Sequence, residues 1–557
     1  MAGHVNMMDD VLIAQLPVPL LRSALRVLVA QGACAQKAFV AHIRSRLHEA
    51  APEFTPAAVL FSDRETSAGY LAHARCLFSS KLVMDALPYL THFVKCIPEA
   101  QLRWTDGDVV EKTLDRASGD IVQAMQALKE TRALYPAKDL EASITALQDT
   151  LFDCEAYCLL KGLAFPFIRA LLQVNDALRL LFPSSVGADR PCASPTPQIE
   201  LTPGDLKTPA RRLEYLQLGP IRVPRLFNGL WQSSSPAWGS ASRAKQDAAL
   251  TDAVRAGLVA ADMADHYGDA ELIYGSFRNR LPDGVAQSVV AATKWCVFAP
   301  PRVPVDKAFV LDAVMERCER LGGRVELLQF HWYDYSDKQY LLVLEELVAA
   351  THTHPHLVSA IGLCNFDAEH AAEACEFLLA RTGRVGIVSN QVQYSLIDSR
   401  PRIKMAEVCE RYGIRLLTYG SFCGGFLSEK WLGANSPDIY SESQVLTPSQ
   451  RKYFDMILTW GTWADLQRLL WTLKSIADEH NVELSNVATR WVLDNPEVGA
   501  VIVGTRLGVS SNVDSNMNVF GLRLTEEESR RIEDVAIKGH LDKVYEKMGD
   551  CGHEYRH

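Results

Sequence analysis

The stretch LFNGLWQ, residues 226–232, decides the fold. It is a short apolar run that ends in the turn Gly229-Leu230-Trp231-Gln232 and is followed, after a polar segment, by a helical pattern over 247–256. In an open, doubly wound sheet the first such turn carries G-x-G-x-x-G, so that backbone can approach a pyrophosphate. This turn lacks it. Working outward, β-branched apolar runs recur at 259–264, 288–293, 325–330, 358–363, 388–392, 414–418 and 500–503. Helical patterns lie between them at 270–280, 306–321, 338–350, 368–380, 401–412, 463–479 and 485–493. Strand and helix alternating eight times predict a (β/α)8 TIM barrel.

The barrel accounts for little more than half of the chain. The 557 residues are 48% hydrophobic and 22% charged, with 57 Lys+Arg against 67 Asp+Glu and a net charge of −10. That composition excludes a disordered or fibrous chain, and the acidic balance argues against nucleic acid as a partner. The first ten residues have no basic leader, and the apolar stretch 11–30 is broken by Pro17, Pro19, Arg22 and Arg26, so no membrane span is expected. Thirteen scattered cysteines without a CxxC pair read as thiols, and no metal site is expected. A cytoplasmic protein follows from these readings.

Between 183 and 211 the periodicity collapses among Pro183, Pro191, Pro195, Pro197, Pro203 and Pro209, which predicts a linker or an extended surface strap. Before it, helical signals dominate. Leu20, Leu21, Ala24, Leu25, Leu28 and Val29 share one helix face, and Ala38, Phe39, Ile43 and Leu47 another. Ser118 and Asp120 precede a helical stretch 121–134, and 151–181 is long, apolar and almost free of breakers. The expected division is an all-α N-terminal domain of unknown role (1–182), a Pro-rich linker (183–211), the barrel (212–540) and a C-terminal tail (541–557). A protein partner or self-association would use the helical domain.

In a barrel, chemistry belongs at the carboxyl ends of the strands. The second ends in DMADHYG (262–268), the third in TKW (293–295) and the fourth in QFHW (329–332). Asp262, Tyr267, Lys294 and His331 therefore open onto one mouth. A phenol titrates near pKa 10, too high for easy proton donation unless a cation stabilises its phenolate. Lys294 would supply the cation and Asp262 would hold it. His331 would hydrogen-bond a substrate carbonyl oxygen. Asp265 and His266 read as supporting loop residues.

At these residues the chain resembles the aldo-keto reductase family, over roughly 215–540. The Asp262–Glu271 segment, the lysine of TKW and the histidine of QFHW match the family's Asp, Tyr, Lys and His. The resemblance implies carbonyl reduction, or alcohol oxidation, with hydride from NADPH or, less often, NADH, and with Tyr267 as proton donor. It also carries cofactor residues. IGLCNF (361–366) places Cys364 and Asn365 at the nicotinamide carboxamide, with cysteine where the family has serine, and NQVQY (390–394) adds Gln391. Tyr419 matches the residue stacked on the nicotinamide, and Gly420, Ser421 and Phe422 begin the loop over the pyrophosphate. Gly504, Thr505, Arg506, Asn512 and Asn516 match the phosphate and adenosine site, with Asn512 where a basic residue often stands. Trp231, Trp295, Trp332 and Phe298 are expected to line a pocket for a small-molecule carbonyl or alcohol, and the insertion 435–462 to lie near the mouth. The alternative is a regulatory or scaffold protein that senses nicotinamide redox state through a reductase-like barrel.

Overall fold

The computed structural model describes residues 12–49, 51–185, 190–193, 197–206, 213–234, 236–239, 241–441 and 446–556. The leader reading of residues 1–10 and the Pro195 and Pro209 part of the linker reading lie outside them. The first part of the chain is entirely helical: α1 (Val18–Ala30), α2 (Ala33–Glu49), α3 (Arg64–Ser79), α4 (Val83–Glu99), α5 (Val109–Thr131), α6 (Ala137–Lys161) and α7 (Ile168–Leu181), with one turn at Ala57–Leu60. Helices α3–α7 enclose an apolar core that includes Leu71, Phe93, Met125, Leu151 and Val174, while α1 and α2 bury none of their own residues.

Two helix boundaries differ from the sequence expectation, each for a local reason. Helix α5 begins at Val109, because Asp108 caps it by accepting from Glu111 N at 2.7 Å. Ser118 and Asp120 sit inside it, and Asp120 is paired with Arg75 at 2.8 Å. The run 151–181 is two helices, since Gly162 takes a left-handed conformation (φ 66°) that ends α6.

After a hairpin of β1 (Tyr215–Leu218) and β2 (Ile221–Pro224), eight parallel strands close the predicted barrel. They are β3 (Leu226–Gly229), β4 (Ala260–Asp262), β5 (Val290–Cys296), β6 (Val325–His331), β7 (Val358–Cys364), β8 (Ile387–Gln393), β9 (Arg415–Tyr419) and β10 (Val498–Gly504), with β10 pairing back onto β3. The helices between them are α8 (Arg243–Arg255), α9 (Ala270–Arg278), α10 (Lys307–Arg320), α11 (Gln339–Thr353), α12 (Ala368–Thr382), α13 (Met405–Tyr412), α14 (Pro448–Trp460), α15 (Trp463–His480) and α16 (Leu484–Asp494). Helices α17 (Glu526–Ala536) and α18 (Leu541–Met548) follow. The alternation expected from the sequence is present, and α14 lies inside the stretch 435–462 read as an insertion.

Side chains alternate across each strand, which sorts the barrel into an inside and an outside. Phe227, Ala260, Ala292, Leu327, Leu417 and Ala500 fill the interior, and Leu218 and Val223 of the hairpin join that cluster. Leu328, Phe330, Ile361 and Leu416 point outward into the helical layer. Pairing of Lys294 with Gln329 and of Cys296 with His331 keeps those four on one face, above the apolar layers.

Buried ion pairs seat the helical unit on the barrel. Arg169 of α7 pairs with Asp269 at 2.7 Å, and Asp176 of α7 takes Arg320 at 2.9 Å and Lys129 at 2.5 Å. Such pairs add little net stability, yet breaking one leaves an uncompensated charge, so they fix the orientation of what they join. The described part of the linker is an extended strap: Ile199 N donates to Arg280 O at 3.0 Å and Leu201 is buried.

Candidate active site

Asp262 ends β4, Lys294 lies two residues before the end of β5 and His331 ends β6, all three facing inward and buried. Tyr267 stands on the loop after β4, half-buried. Lys294 Nζ donates to Asp262 Oδ1 at 2.5 Å and to Met263 O at 2.8 Å, and lies 4.8 Å from the centre of the Tyr267 ring. The other Asp262 oxygen accepts from Gln329 and from Gln391, each at 2.7 Å. The structure thus brings the four expected side chains to one mouth. It adds Gln329, whose inward position one step of strand alternation from His331 would have disclosed.

Burial and pairing set the protonation of this group. Burial disfavours the Lys294 ammonium, but the Asp262 carboxylate outweighs it and raises its pKa above the ordinary lysine value. Burial raises the Tyr267 phenol above its ordinary value, and Lys294 offsets this only in part. Tyr267 is therefore protonated at neutral pH. Burial, and next the Arg556 guanidinium, push His331 down to about 3, so its ring is neutral. Its Nδ1 lies 3.1 Å from Cys364 O. A carbonyl only accepts, so the neutral ring carries its proton on Nδ1, and Arg556 Nη1 lies 3.4 Å from both ring nitrogens. The sequence reading had His331 donate to a carbonyl; in this arrangement the donor facing the mouth beside it is Arg556.

Asp265 and His266 support the loop. Asp265 pairs with Arg317 and accepts from Cys296 N at 3.1 Å, and His266 Nδ1 lies 3.2 Å from Asp265. Asp265, His266 and Cys296 form a group with metal-ligand spacing, but the Asp265 carboxylate is already occupied by Arg317.

The expected cofactor residues lie at the ends of β7–β10. Cys364 ends β7, and Asn365, at φ 56°, follows it. Asn365 Oδ1 accepts from Tyr419 OH at 3.0 Å. The Gln391 amide donates to Asp262 and, at 2.7 Å, to Gln329 Oε1, so it is tied to the carboxylate below it. Gly420 takes φ 82°, Ser421 donates to Tyr394 O at 3.2 Å, and Phe422 follows. Thr505 N donates to Gly229 O at 2.8 Å beside Gly504. Asn512 and Asn516 bracket one short helical turn. Arg506 has no ion pair and no side-chain hydrogen bond among the described residues, so its guanidinium is free for an anion. A half-exposed unpaired arginine beside glycine-lined strand ends, with amide and phenol groups around the corner, fits the phosphates and nicotinamide of a dinucleotide.

Of the three tryptophans, only Trp231 stands at the mouth, edge-on to Trp238 at 4.9 Å. Trp295 is buried against Phe309 and Phe330, and Trp332 is wholly buried on Phe330 with Nε1 donating to Asp337 O at 3.0 Å. Both are placed in the helical layer, not in the pocket, because Lys294 and His331 face inward and their neighbours must face out. Phe298 is at the rim, exposed, 5.1 Å from His266 and 5.6 Å from His331. Sequence reading missed three further residues here. Tyr555 donates to or accepts from Tyr419 OH at 3.1 Å, Lys452 of α14 donates to Tyr555 OH at 2.7 Å, and Arg556 donates to Asn365 O at 2.7 Å. No local motif marks them, since they arrive from the segment beyond α18 and from the insertion.

The family model described as "Aldo/keto reductase family" matches residues 225–537. A chloroplastic pyridoxal reductase of Arabidopsis thaliana is 26% identical over 342 residues, covering 58% of this chain and 85% of that protein. A versiconal hemiacetal acetate reductase of Aspergillus parasiticus is 21% identical over 356 residues, 58% of this chain and 96% of that protein. Flagellar radial spoke protein 5 of Chlamydomonas reinhardtii is 31% identical over 184 residues, but only 30% of this chain and 33% of that protein are covered. Among the described residues no helix is long and apolar enough to cross a membrane.

Proposed function

The chain belongs to the aldo/keto reductase family, and on that premise we propose that it reduces an aldehyde or ketone to the alcohol, or runs the reverse, with Tyr267 as the proton donor. The observation that carries this reading is the buried Asp262–Lys294 pair beneath the Tyr267 ring. A bound NADPH would supply the hydride, with Asn365, Cys364, Gln391 and Tyr419 around its nicotinamide and Arg506 at its phosphates. Everything else falls to the chain's own side chains.

As negative charge develops on the carbonyl oxygen, the Tyr267 O–H bond breaks and its proton neutralises the alkoxide. The phenolate left behind sits beside the Lys294 ammonium, which Asp262 keeps protonated. Lys294 thus acts after charge appears, which is where electrostatic stabilisation accelerates a step. For His331 to align the carbonyl as a donor, its proton must move from Nδ1 to Nε2, which gives up the Nδ1–Cys364 O bond and sets the carbonyl oxygen in the place of the Arg556 guanidinium. The unpaired Arg506 favours NADPH over NADH, because a guanidinium matches a 2'-phosphate. Trp231 and Phe298 give the mouth an apolar rim suited to an aromatic or alkyl carbonyl. The redox-sensing alternative leaves Lys294 and His331 without a task.

The test is nucleotide oxidation by the full chain across aldehydes, ketones and quinones. Tyr267→Phe is expected to lower turnover by about 10²–10⁴-fold with nucleotide binding retained. Undiminished turnover in that variant would remove Tyr267 from the role.

A further inference from the structure

Tyr267 sits on a loop, not on a strand, and a loop by itself holds a side chain poorly. What holds this one comes from outside the barrel. Arg169 of α7 makes a two-pronged pair with Asp269, its Nε to Oδ2 at 2.7 Å and its Nη2 to Oδ1 at 2.8 Å. Asp269 lies two residues beyond Tyr267, and its side chain is 1% exposed. Between them Gly268 takes φ 59°, and a Cβ there would meet Val122 of α5 at 3.6 Å and the Ser234 backbone at 3.4 Å. The turn is closed by Tyr267 N to Ala264 O and by Ala270 N to Tyr267 O, both 3.1 Å.

A second bridge meets the chain two residues further on. Glu271 accepts from Arg320 at 3.2 Å and from Thr293, the strand neighbour of Lys294. Arg320 in turn donates to Asp176 of α7 at 2.9 Å, where Lys129 of α5 also arrives at 2.5 Å. The helical unit therefore holds the segment just beyond the phenol, at Asp269 directly and at Glu271 through Arg320.

We propose that the helical unit is a positioning element of the active site, and that Arg169, by fixing Asp269, sets the placement of Tyr267. This rests on the reductase reading above. Arg169 is a positioning residue: it acts through Asp269 on the loop. A guanidinium is required because its planar fork matches both carboxylate oxygens at once, which a point charge does not. Misplacing a reacting group by about 1 Å costs on the order of 10²-fold in rate, so a loosened loop is visible in kcat before it is visible in folding.

Removing Arg169 alone would strand the buried Asp269 carboxylate, and Asp115, which Arg169 also faces and which burial pushes up to about 6. The experiment therefore uses the full chain with Arg169→Gln/Asp269→Asn, which removes both partners of the pair, alongside Arg169→Lys. The double variant is expected to lose about 10-fold or more in kcat. The kcat is read at saturating NADPH, because Arg169 lines the same cavity as Arg506 and its loss can weaken nucleotide binding as well, and amide deuterium exchange across residues 264–270 should accelerate. Arg169→Lys, which keeps the charge without the fork, should fall between it and wild type.

Unchanged kcat in the double variant overturns the proposal, whatever the exchange shows. So does a parallel loss of kcat, nucleotide affinity and Tm, which marks a general loss of structure. A wild-type chain that binds NADPH but turns over no carbonyl refutes the reductase reading, and the positioning role with it; that outcome is distinct from an active wild type matched by its variant.

Discussion

The helical unit and the barrel bury similar apolar side chains but use buried charge differently. The helical unit pairs its buried Asp120 with its own Arg75, while α7 turns Arg169 and the buried Asp176 toward the barrel. Inside the barrel, Asp262, Lys294, Gln329 and Gln391 form a closed hydrogen-bonded layer directly above alanines and leucines. An apolar layer of the same volume would have closed the barrel without the desolvation cost of an ion pair. On the proposed function the Asp262–Lys294 pair serves the chemistry, and the pairs between α7 and the barrel serve orientation.

The comparison breaks most sharply at Asp262. Asp262→Asn leaves the Lys294 ammonium buried without its counter-charge, and the lysine pKa should fall. Turnover should drop by about 10²-fold or more, with the alkaline limb of the kcat profile moved to lower pH. A profile that keeps its alkaline limb would show that Lys294 does not govern the step.

The interface gives the next largest effect. Burial raises the Asp176 carboxyl, but Lys129 and Arg320 outweigh it and hold it well below the usual carboxylate range. Its stabilising contribution is thus complete above the unfolded value near 3.9 and is lost as pH falls below it. Asp176→Asn should cost about 3–5 kcal/mol at neutral pH by stranding its cations, and should flatten the acid side of the stability curve. A thermal-denaturation series against pH that matches wild type would remove the network from any orienting role.

The smallest effect tests the segment beyond α18. Arg556→Ala takes a cation from beside His331, whose pKa of about 3 should rise. Burial remains its main cause, so the rise stays partial. A histidine-selective NMR titration reads it directly, and an unmoved His331 would show that Arg556 does not reach it in solution.

Much of this was legible in advance. The alternation of runs and helices identified the barrel, and three strand ends named Asp262, Tyr267, Lys294 and His331, because strand and helix periodicities are written in adjacent residues. Trp295 and Trp332 were misplaced by reading strand ends as positions along the chain; the two-residue alternation anchored on Lys294 and His331 would have turned them outward. The helix over 448–460 went unread although Thr447 and Gln450 form a capping box at its start.

By itself, then, the sequence determined the barrel, the helical character of the first part and the group at the mouth. Only the tertiary structure decided what that group is held by and faced with. Arg169 meets Asp269 across 100 positions, and Arg556 meets His331 across 225. Local patterning records a residue's periodic face, but a contact between distant segments depends on how whole elements dock, and that docking leaves no spacing to read.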